Sequence, residues 1–470
     1  MSKLLIGGSW VDGESSQPLH DKYAGAVYGE MAVASAAQVE AAVSGAVAGQ
    51  QASKLAPYEL YKILGKAAVI LESRIELLVE LMRVEAGFTR ADGENEVRRC
   101  VQTLELSAEE AKRLVGDMVP MEAAQGVKNR LGFTLRGPRG VVCAITPFNS
   151  PLNTLAHKVG PALAGGNAVV IKPSEYTPLT AVELCKVLIE AGLPTDLLAL
   201  VHGDGGVIGP QLLADQRIAF YAFTGSTRVG REIQRAAGLR GTQLELGSIA
   251  STIVCHDADL ALAIPKIINA GFRKAGQVCT SVQRLLVDRR IAAQFIPEFI
   301  QAMQALKFGD PADPATVIGP MISSAHAQRA AAWIAQAVSE GAEILSGGNL
   351  NEALLEPTLL HRVTAQMKVV CEEIFAPVVS IVEFDQLDEA VAVANAQPFG
   401  LSVGVFTSNL HTAMNAAKQL RFGGIHINEA SSARVDVMPF GGIKDSGFGR
   451  EGPAYAIREM TVERLVTIAY

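Results

Sequence analysis

Four short runs of continuous apolar residues, Val141-Val142-Cys143-Ala144-Ile145, Ala168 to Ile171, Leu197 to Val201 and Ile218 to Phe223, recur along the chain with helix-length stretches between them. A strand with one wet face alternates apolar and polar side chains, so an unbroken apolar run reads as a strand covered on both faces. Repeated in alternation with helices, such runs predict an α/β fold built on a doubly wound parallel sheet. Ligands of these sheets sit outside the carboxyl ends of the strands. That rule sends Thr146 to Asn149, Lys172 to Glu175 and Thr224 to Thr227 into one crevice.

Leu4 to Val11, with Gly7-Gly8 inside it, reads as a hairpin. Pro57 opens an amphipathic helix whose inner face is Leu60, Ile63, Leu64, Ala67, Ala68 and Leu71, continued by Ile75, Leu78 and Met82. A second helical run from Asn95 to Val115 turns Val97, Val101, Leu104, Ala108 and Ala111 inward. Lys128 to Arg136 alternates as a strand with one wet face, suited to meeting another subunit. After Cys279 a second α/β block follows: strands at Leu285–Val287, Val378–Phe384 and Ser402–Phe406, with helices at Ile291–Leu306, His326–Gly341 and Leu387–Ala396. Met438 to Glu451 is a glycine-rich loop, Thr461 to Ile468 a final strand, and there is no internal repeat.

A chain of 470 residues exceeds one ordinary core, so two or three domains are expected. Its net charge of -7 argues against a general nucleic-acid or anionic-membrane binder. No segment runs apolar long enough to span a bilayer and the first residues carry no leader pattern, so a cytoplasmic location is expected. The six cysteines form no Cys-x-x-Cys pair and have no histidine at ligand spacing, which predicts reduced thiols and no metal site.

Gly276-Gln277-Val278-Cys279-Thr280-Ser281 places a cysteine in a turn of small residues ahead of a strand. Glycine permits the tight turn, and the flanking polar residues suit a working thiol as well as a merely buried one. Phe223 to Gly230 sits at a strand-to-helix junction where Ser226 can cap the helix, the arrangement of a phosphate site. Glu245 at a strand end is a candidate general base, and Asn149 offers an amide N-H for an oxyanion.

Taken in order, Thr146-Pro147-Phe148-Asn149, Ile171-Lys172-Pro173-Ser174-Glu175, Phe223 to Gly230, Glu245-Leu246-Gly247, Gly276 to Cys279, Glu372 to Pro377 and Met438 to Glu451 resemble the aldehyde dehydrogenase superfamily over nearly the whole chain. The resemblance implies a Rossmann-type cofactor domain from 1–118 and 139–245, a catalytic domain from 246–440, and oligomerisation strands at 119–138 and 456–470. It implies that Cys279 attacks the aldehyde carbon, that Asn149 and the Cys279 amide hold the oxyanion, and that Glu245 activates water on the resulting thioester. Lys158 and Glu451 match positions on a proton route to that base.

The same resemblance makes Thr146, Pro147, Phe148, Lys172, Ser174, Glu175, Thr224, Gly225, Ser226, Leu246, Gly247, Glu373 and Phe375 the cofactor contacts. Glu175 repels a 2′-phosphate, which favours NAD over NADP. Ser248 departs from the family, where a second glycine is usual. A coenzyme A-acylating enzyme is the nearest rival and a catalytically silent relative the other, and retention of Glu245 and Cys279 speaks against both.

Within the superfamily the chain resembles the lactaldehyde, phosphonoacetaldehyde and sulfoacetaldehyde group, through its Gln277-Val278-Cys279 turn and its Arg-x-Asp-x-Met-Pro-Phe-Gly-Gly tail. Val278 stands where the phosphonoacetaldehyde enzymes carry arginine. His157, Arg434 and either Arg98 or Arg99, with Arg98 preferred, are the expected polar walls of the substrate funnel, beside Val278, Thr280 and Phe440. Two cations and few aromatics suit a small polar or anionic aldehyde, with a general or aromatic aldehyde as the alternative. Arg434 could instead pair with Asp436 and only shape its loop. A homodimer or homotetramer is expected by resemblance.

Overall fold

The computed structural model describes residues 2–470. Two large sheets carry the chain. The first runs, edge to edge, Ser9–Val11, Leu4–Ile6, Leu198–Leu200, Ala168–Lys172, Val141–Ile145, Ile218–Thr224, Gly241–Glu245 and Gly447–Phe448. Its five central strands are parallel, and the apolar runs that predicted them are buried almost without exception. From Val141–Ile145 the chain winds outward through Ala168–Lys172 to Leu198–Leu200, then returns to the other side with Ile218–Thr224. The switch point therefore lies between Val141–Ile145 and Ile218–Thr224, and the loops Thr146–Asn149 and Thr224–Ser226 leave the sheet on either side of it.

The second sheet is ordered Glu343–Ser346, Thr358–His361, Val378–Phe384, Val282–Asp288, Ala250–Val254, Ser402–Phe406 and Gly424–Ile427, parallel except for its first edge strand. Phe272, Phe295 and Phe299 fill the core beneath it, with Phe295 and Phe299 stacked at 5.5 Å. A third small sheet pairs Thr461–Ala469 with Arg130–Pro138, from Thr461 opposite Pro138 to Ala469 opposite Arg130.

The helix over Pro57–Ser73 buries the six residues expected of its inner face. It stops at Arg74, whose backbone sits at φ -101°, and Ile75–Ala86 follows as a separate helix where the sequence suggested continuity. The helix expected from Asn95 begins earlier, at Arg90, because Thr89 caps it by accepting from Asp92 N. The glycine-rich tail is more than a loop: Gly447–Phe448 pairs antiparallel with Gly241–Glu245, and Pro453–Glu459 forms a helix whose Ala456 and Ile457 join the first core. The tail thus brings Glu451 back beside the strand that ends in Glu245.

Among the described residues no helix is long and apolar enough to cross a membrane, and no group of His, Cys, Asp and Glu side chains is placed to hold a metal ion.

Candidate active site

The carboxyl ends of the first sheet, the Cys279 turn and the Ser432–Phe440 loop enclose a cavity of about 690 Å³. Cys279 enters it from a backbone that few sequences could adopt. Lys274 and Ala275 both have φ +53° and Gly276 φ +66°, three successive residues in the left-handed region. Such positions cost on the order of 1–3 kcal/mol each for a non-glycine residue, so the surroundings must hold them. Lys274 does so with a buried ammonium that bonds Glu96 at 2.9 Å and the Asn149 carbonyl at 3.0 Å. Gln277 adds a clamp, donating from its backbone to the Lys274 carbonyl at 3.1 Å and accepting from Ile322 N at 2.9 Å.

Gly276 permits nothing larger. A Cβ there would lie 2.1 Å from the Ala376 carbonyl oxygen, in addition to the positive φ. Gly276→Ala is expected to cost about 2 kcal/mol or more of stability and to lower kcat/KM about 100-fold or more, by displacing the thiol. A thermal melt and steady-state kinetics check both.

Asn149 donates Nδ2-H to the Gln277 carbonyl at 2.8 Å, which ties the Pro147-Phe148-Asn149 turn to the cysteine loop. A side-chain amide has two hydrogens, so one remains for the cavity. Burial pushes the Cys279 thiol up to about 12, against the opposing pull of the Arg434 guanidinium. Both Glu245 oxygens are buried without a hydrogen-bond partner. Burial, and then the neighbouring Glu451 charge, drive the Glu245 carboxyl well above its ordinary range.

Glu451 is held the other way. Lys158 Nζ reaches its Oε1 at 2.9 Å, Arg434 Nη2 reaches Oε2 at 2.8 Å, and Thr224 Oγ1 lies 3.4 Å from Oε1. These cations outweigh burial and keep the carboxyl well below the usual range.

Of the residues expected as cofactor contacts, nine line the cavity, and Thr146, Lys172, Ser174 and Glu175 lie outside its lining. Ser226 Oγ accepts from Val229 N at 3.4 Å and caps the helix Thr227–Ala237, and Ser226 itself lines the cavity beside Gly225. Pro147, Phe148, Thr224, Leu246 and Gly247 line the same wall. Glu373 accepts from Ser248 N at 2.8 Å, and burial raises its carboxyl to about 7. Gly247 makes room for it, since a Cβ there would sit 2.7 Å from Glu373 Oε2. Phe375, at φ +51°, meets Phe148 edge-on at 6.0 Å. Lys172 and Glu175 pair at 3.5 Å at the neighbouring strand end, with Ser174 accepting from Tyr176 N between them.

A nicotinamide dinucleotide fits these residues: a helix N-terminus at the cavity for its phosphates, carboxylates for its ribose hydroxyls, and buried Thr146 and Ser248 hydroxyls without a protein partner next in sequence to the lining residues Pro147 and Gly247.

Two expected substrate contacts are corrected. Arg98 points to solvent with 66% of its side chain exposed and pairs with Glu94, one turn back on its own helix. Its neighbour Arg99, 100° around the helix, lines the cavity and pairs with Asp436 through Nε at 3.1 Å and Nη2 at 2.7 Å. His157 is fully buried behind the cavity, where Nε2 lies 2.8 Å from Asp436 Oδ1. Arg434, Val278, Thr280 and Phe440 do line the cavity. Arg434 pairs with Glu451 rather than Asp436, its guanidinium 3.9 Å from the Phe440 ring centroid.

Three residues not singled out in the sequence also belong to this cavity or its frame. Glu96 and Lys274 form the buried pair described above. Arg273 lines the cavity and donates Nη2-H to Ser432 Oγ at 2.6 Å, with no carboxylate in ion-pair contact among the described residues. The Arg273-Lys274 pair just ahead of the cysteine turn was the available signal.

A model of the aldehyde dehydrogenase family matches residues 10–466. The chain is 44% identical over 465 residues to 3-sulfolactaldehyde dehydrogenase of Priestia megaterium, covering 99% of this chain and 97% of that one. It is 35% identical over 472 residues to lactaldehyde dehydrogenase of Methanocaldococcus jannaschii, covering 99% and 100%. Among solved structures it superposes on NADP-dependent glyceraldehyde-3-phosphate dehydrogenase of Bacillus halodurans in complex with NADP, with a TM-score of 0.97, 33% identity, and 100% and 99% of the two chains covered.

Proposed function

The chain belongs to the aldehyde dehydrogenase family and is an NAD(P)-dependent aldehyde dehydrogenase, and from that membership we propose that it oxidises a small anionic or hydroxylated aldehyde to the carboxylic acid. One observation carries the substrate class. Of the cations lining the cavity, Arg99 is held by Asp436, Lys274 by Glu96 and Arg434 by Glu451, Arg329 donates to the Ile374 carbonyl beside Glu373, and Arg273, next to the cysteine turn, bonds only a serine hydroxyl. A guanidinium so placed, beside the Thr280 and Ser432 hydroxyls, offers charge-assisted hydrogen bonds to a sulfonate or carboxylate at the far end of a short aldehyde. The relatives named for sulfolactaldehyde and lactaldehyde support the same class.

In this reading the Cys279 Sγ-H proton passes to Glu245 as sulfur adds to the aldehyde carbon. The oxyanion rests on the free Asn149 N-H and the Cys279 backbone N-H. A nicotinamide dinucleotide held beside Glu373 and Phe375 would supply the acceptor for the hydride that leaves this carbon. Glu245 passes the thiol's proton on to solvent and, ionised again, takes a proton from water as the oxygen adds to the thioester; the C–S bond then breaks, the sulfur regains that proton from Glu245, and the acid is released. Glu245, unpartnered in the cavity, supports hydrolysis over transfer to coenzyme A. Lys158 and Glu451 stand behind it on the proton route.

Glu175, 42% exposed at the expected ribose end and paired with Lys172, supports NAD over NADP by like-charge repulsion. Residues 1–118 and 139–245 would carry the cofactor and 246–440 the thiol. Strands in 119–138 and 456–470 would join copies into a homodimer or homotetramer. Leu131, Leu135, Leu465 and Ile468, all exposed on that small sheet, support the last assignment.

The test is cofactor reduction against sulfoacetaldehyde, succinic semialdehyde, lactaldehyde, glycolaldehyde, propanal and benzaldehyde. The acidic aldehydes are expected to lead, and Arg273→Gln to raise their KM about 10- to 100-fold with propanal little changed. A lead by propanal or benzaldehyde rejects the anionic class.

A further inference from the structure

We infer that Arg434 is a positioning residue for the deacylation base and not a substrate ligand: its guanidinium, seated on Phe440, shares Glu451 with Lys158 and so sets the charge that Glu245 and Cys279 face. The inference rests on the reading of Glu245 as that base.

Arg434 lines the cavity, yet its side chain is only 17% exposed and is already engaged. Below it lies the Phe440 ring at 3.9 Å, and ahead of it Glu451 Oε2 at 2.8 Å. Glu451 has no exposed oxygen to offer elsewhere, since its side chain is 2% exposed and Lys158, at 0%, occupies Oε1. Pulling Arg434 toward a substrate anion would strip a buried carboxylate of one of its two cations and leave Oε2 with neither partner nor solvent. Arg273 asks for no such exchange.

The loop is fastened to keep Arg434 there. Asp436, two residues on, accepts from Arg99 at 2.7 and 3.1 Å, from Asn153 Nδ2 at 3.1 Å and from His157 Nε2 at 2.8 Å. This gives His157 and Arg99 a role as anchors of the loop. The charged and titratable groups packed around the Arg434 guanidinium are then Glu451 and Arg450 from the tail, Lys158 and His157 from the helix Asn153–Ala164, Glu245 from its strand end, Arg99 and Asp436 behind, and Cys279 across the cavity.

The consequence is electrostatic and has a fixed sign. Arg434 opposes the upward shifts of both Glu245 and Cys279, so its loss raises both. Glu451 adds to the upward shift of Glu245, so its loss as a charge lowers it.

The test is the alkaline-rising limb of kcat and of kcat/KM, measured with one anionic aldehyde and with propanal. Arg434→Gln is expected to move the limb about one pH unit upward, equally for both aldehydes and with their KM ratio unchanged. Arg434→Lys is expected to return most of the shift. Glu451→Gln is expected to move the limb of kcat downward, and it carries the test alone if Arg434→Gln does not fold. The inference is overturned if Arg434→Gln leaves the limb in place and raises KM only for the anionic aldehyde, or if Glu451→Gln shifts the limb upward. Glu245→Gln separates the two levels: a limb of kcat that persists in that variant removes the base and this inference together, whereas a limb lost there but unmoved in Arg434→Gln removes only the inference.

Discussion

Cys279→Ala is expected to abolish aldehyde-dependent cofactor reduction, by about 10⁴-fold or more, while leaving cofactor affinity within about twofold. The size of the loss follows from there being no second thiol among the described residues that line the cavity. Of the free cysteines, Cys100, Cys143, Cys185 and Cys255 are buried, Cys371 is exposed, and none of the five lines the cavity. Burial holds the Cys279 thiol at about 12, so near neutral pH the resting group is the thiol. Reaction therefore needs its proton to leave as the carbon arrives. Acylation should rise with pH over the accessible range, and alkylation of Cys279 by iodoacetamide should rise in parallel, since both report the thiolate. A bound aldehyde should protect. Cofactor binding, followed by fluorescence, distinguishes a lost nucleophile from a lost fold. Residual turnover above about one part in 100 would mean that another group makes the bond.

The parts of this enzyme legible in its sequence are those whose causes are local. A strand buried on both faces has to be apolar throughout, and so the central strands announce themselves. A turn that a Cβ would block has to carry glycine, which is why the Gly276 and Gly247 positions point straight at the thiol and at Glu373. Pairings between distant segments leave no such trace. Glu96 and Lys274 are 178 residues apart and Arg99 and Asp436 are 337 apart, and nothing near either residue specifies its partner.

Arg98 and Arg99 show the limit most sharply. They are adjacent and chemically identical, and only the rotation of the helix against the sheet sends one to Glu94 in solvent and the other to the cavity. His157 fails for a related reason: its distance along the chain from Asn149 was legible, but the direction of a side chain on a fully buried helix depends on what packs behind it. The short edge strands Glu343–Ser346 and Gly424–Ile427 escaped because a few residues added to an existing sheet need no periodicity of their own.

Glu245→Gln is expected to leave the first turnover and lose the rest. The amide has nearly the volume of the carboxyl, and no hydrogen bond within the protein is given up, because neither Glu245 oxygen has one. The fold should therefore be unchanged. Addition of the thiol can still proceed at high pH, where the thiolate forms without a base, and hydride can leave because Asn149 and the Cys279 amide are intact. The thioester then has no acceptor for a proton from water. Rapid mixing at alkaline pH should show a burst of about one reduced cofactor per Cys279, followed by turnover about 10²- to 10⁴-fold slower than wild type.

In the wild-type enzyme the sign of the pH dependence is fixed by the same carboxyl. Its proton affinity is raised by burial and by Glu451, so the basic form accumulates only as pH climbs past that raised value, and kcat should rise well above the range where ordinary carboxylates have finished titrating. A wild-type limb at ordinary carboxylate pH, or no burst in Glu245→Gln beside unimpaired steady turnover, would assign hydrolysis to another group. The geometry leaves few: Glu451 is already bound by two cations, and Glu373 is tied to the Ser248 amide on the cofactor side.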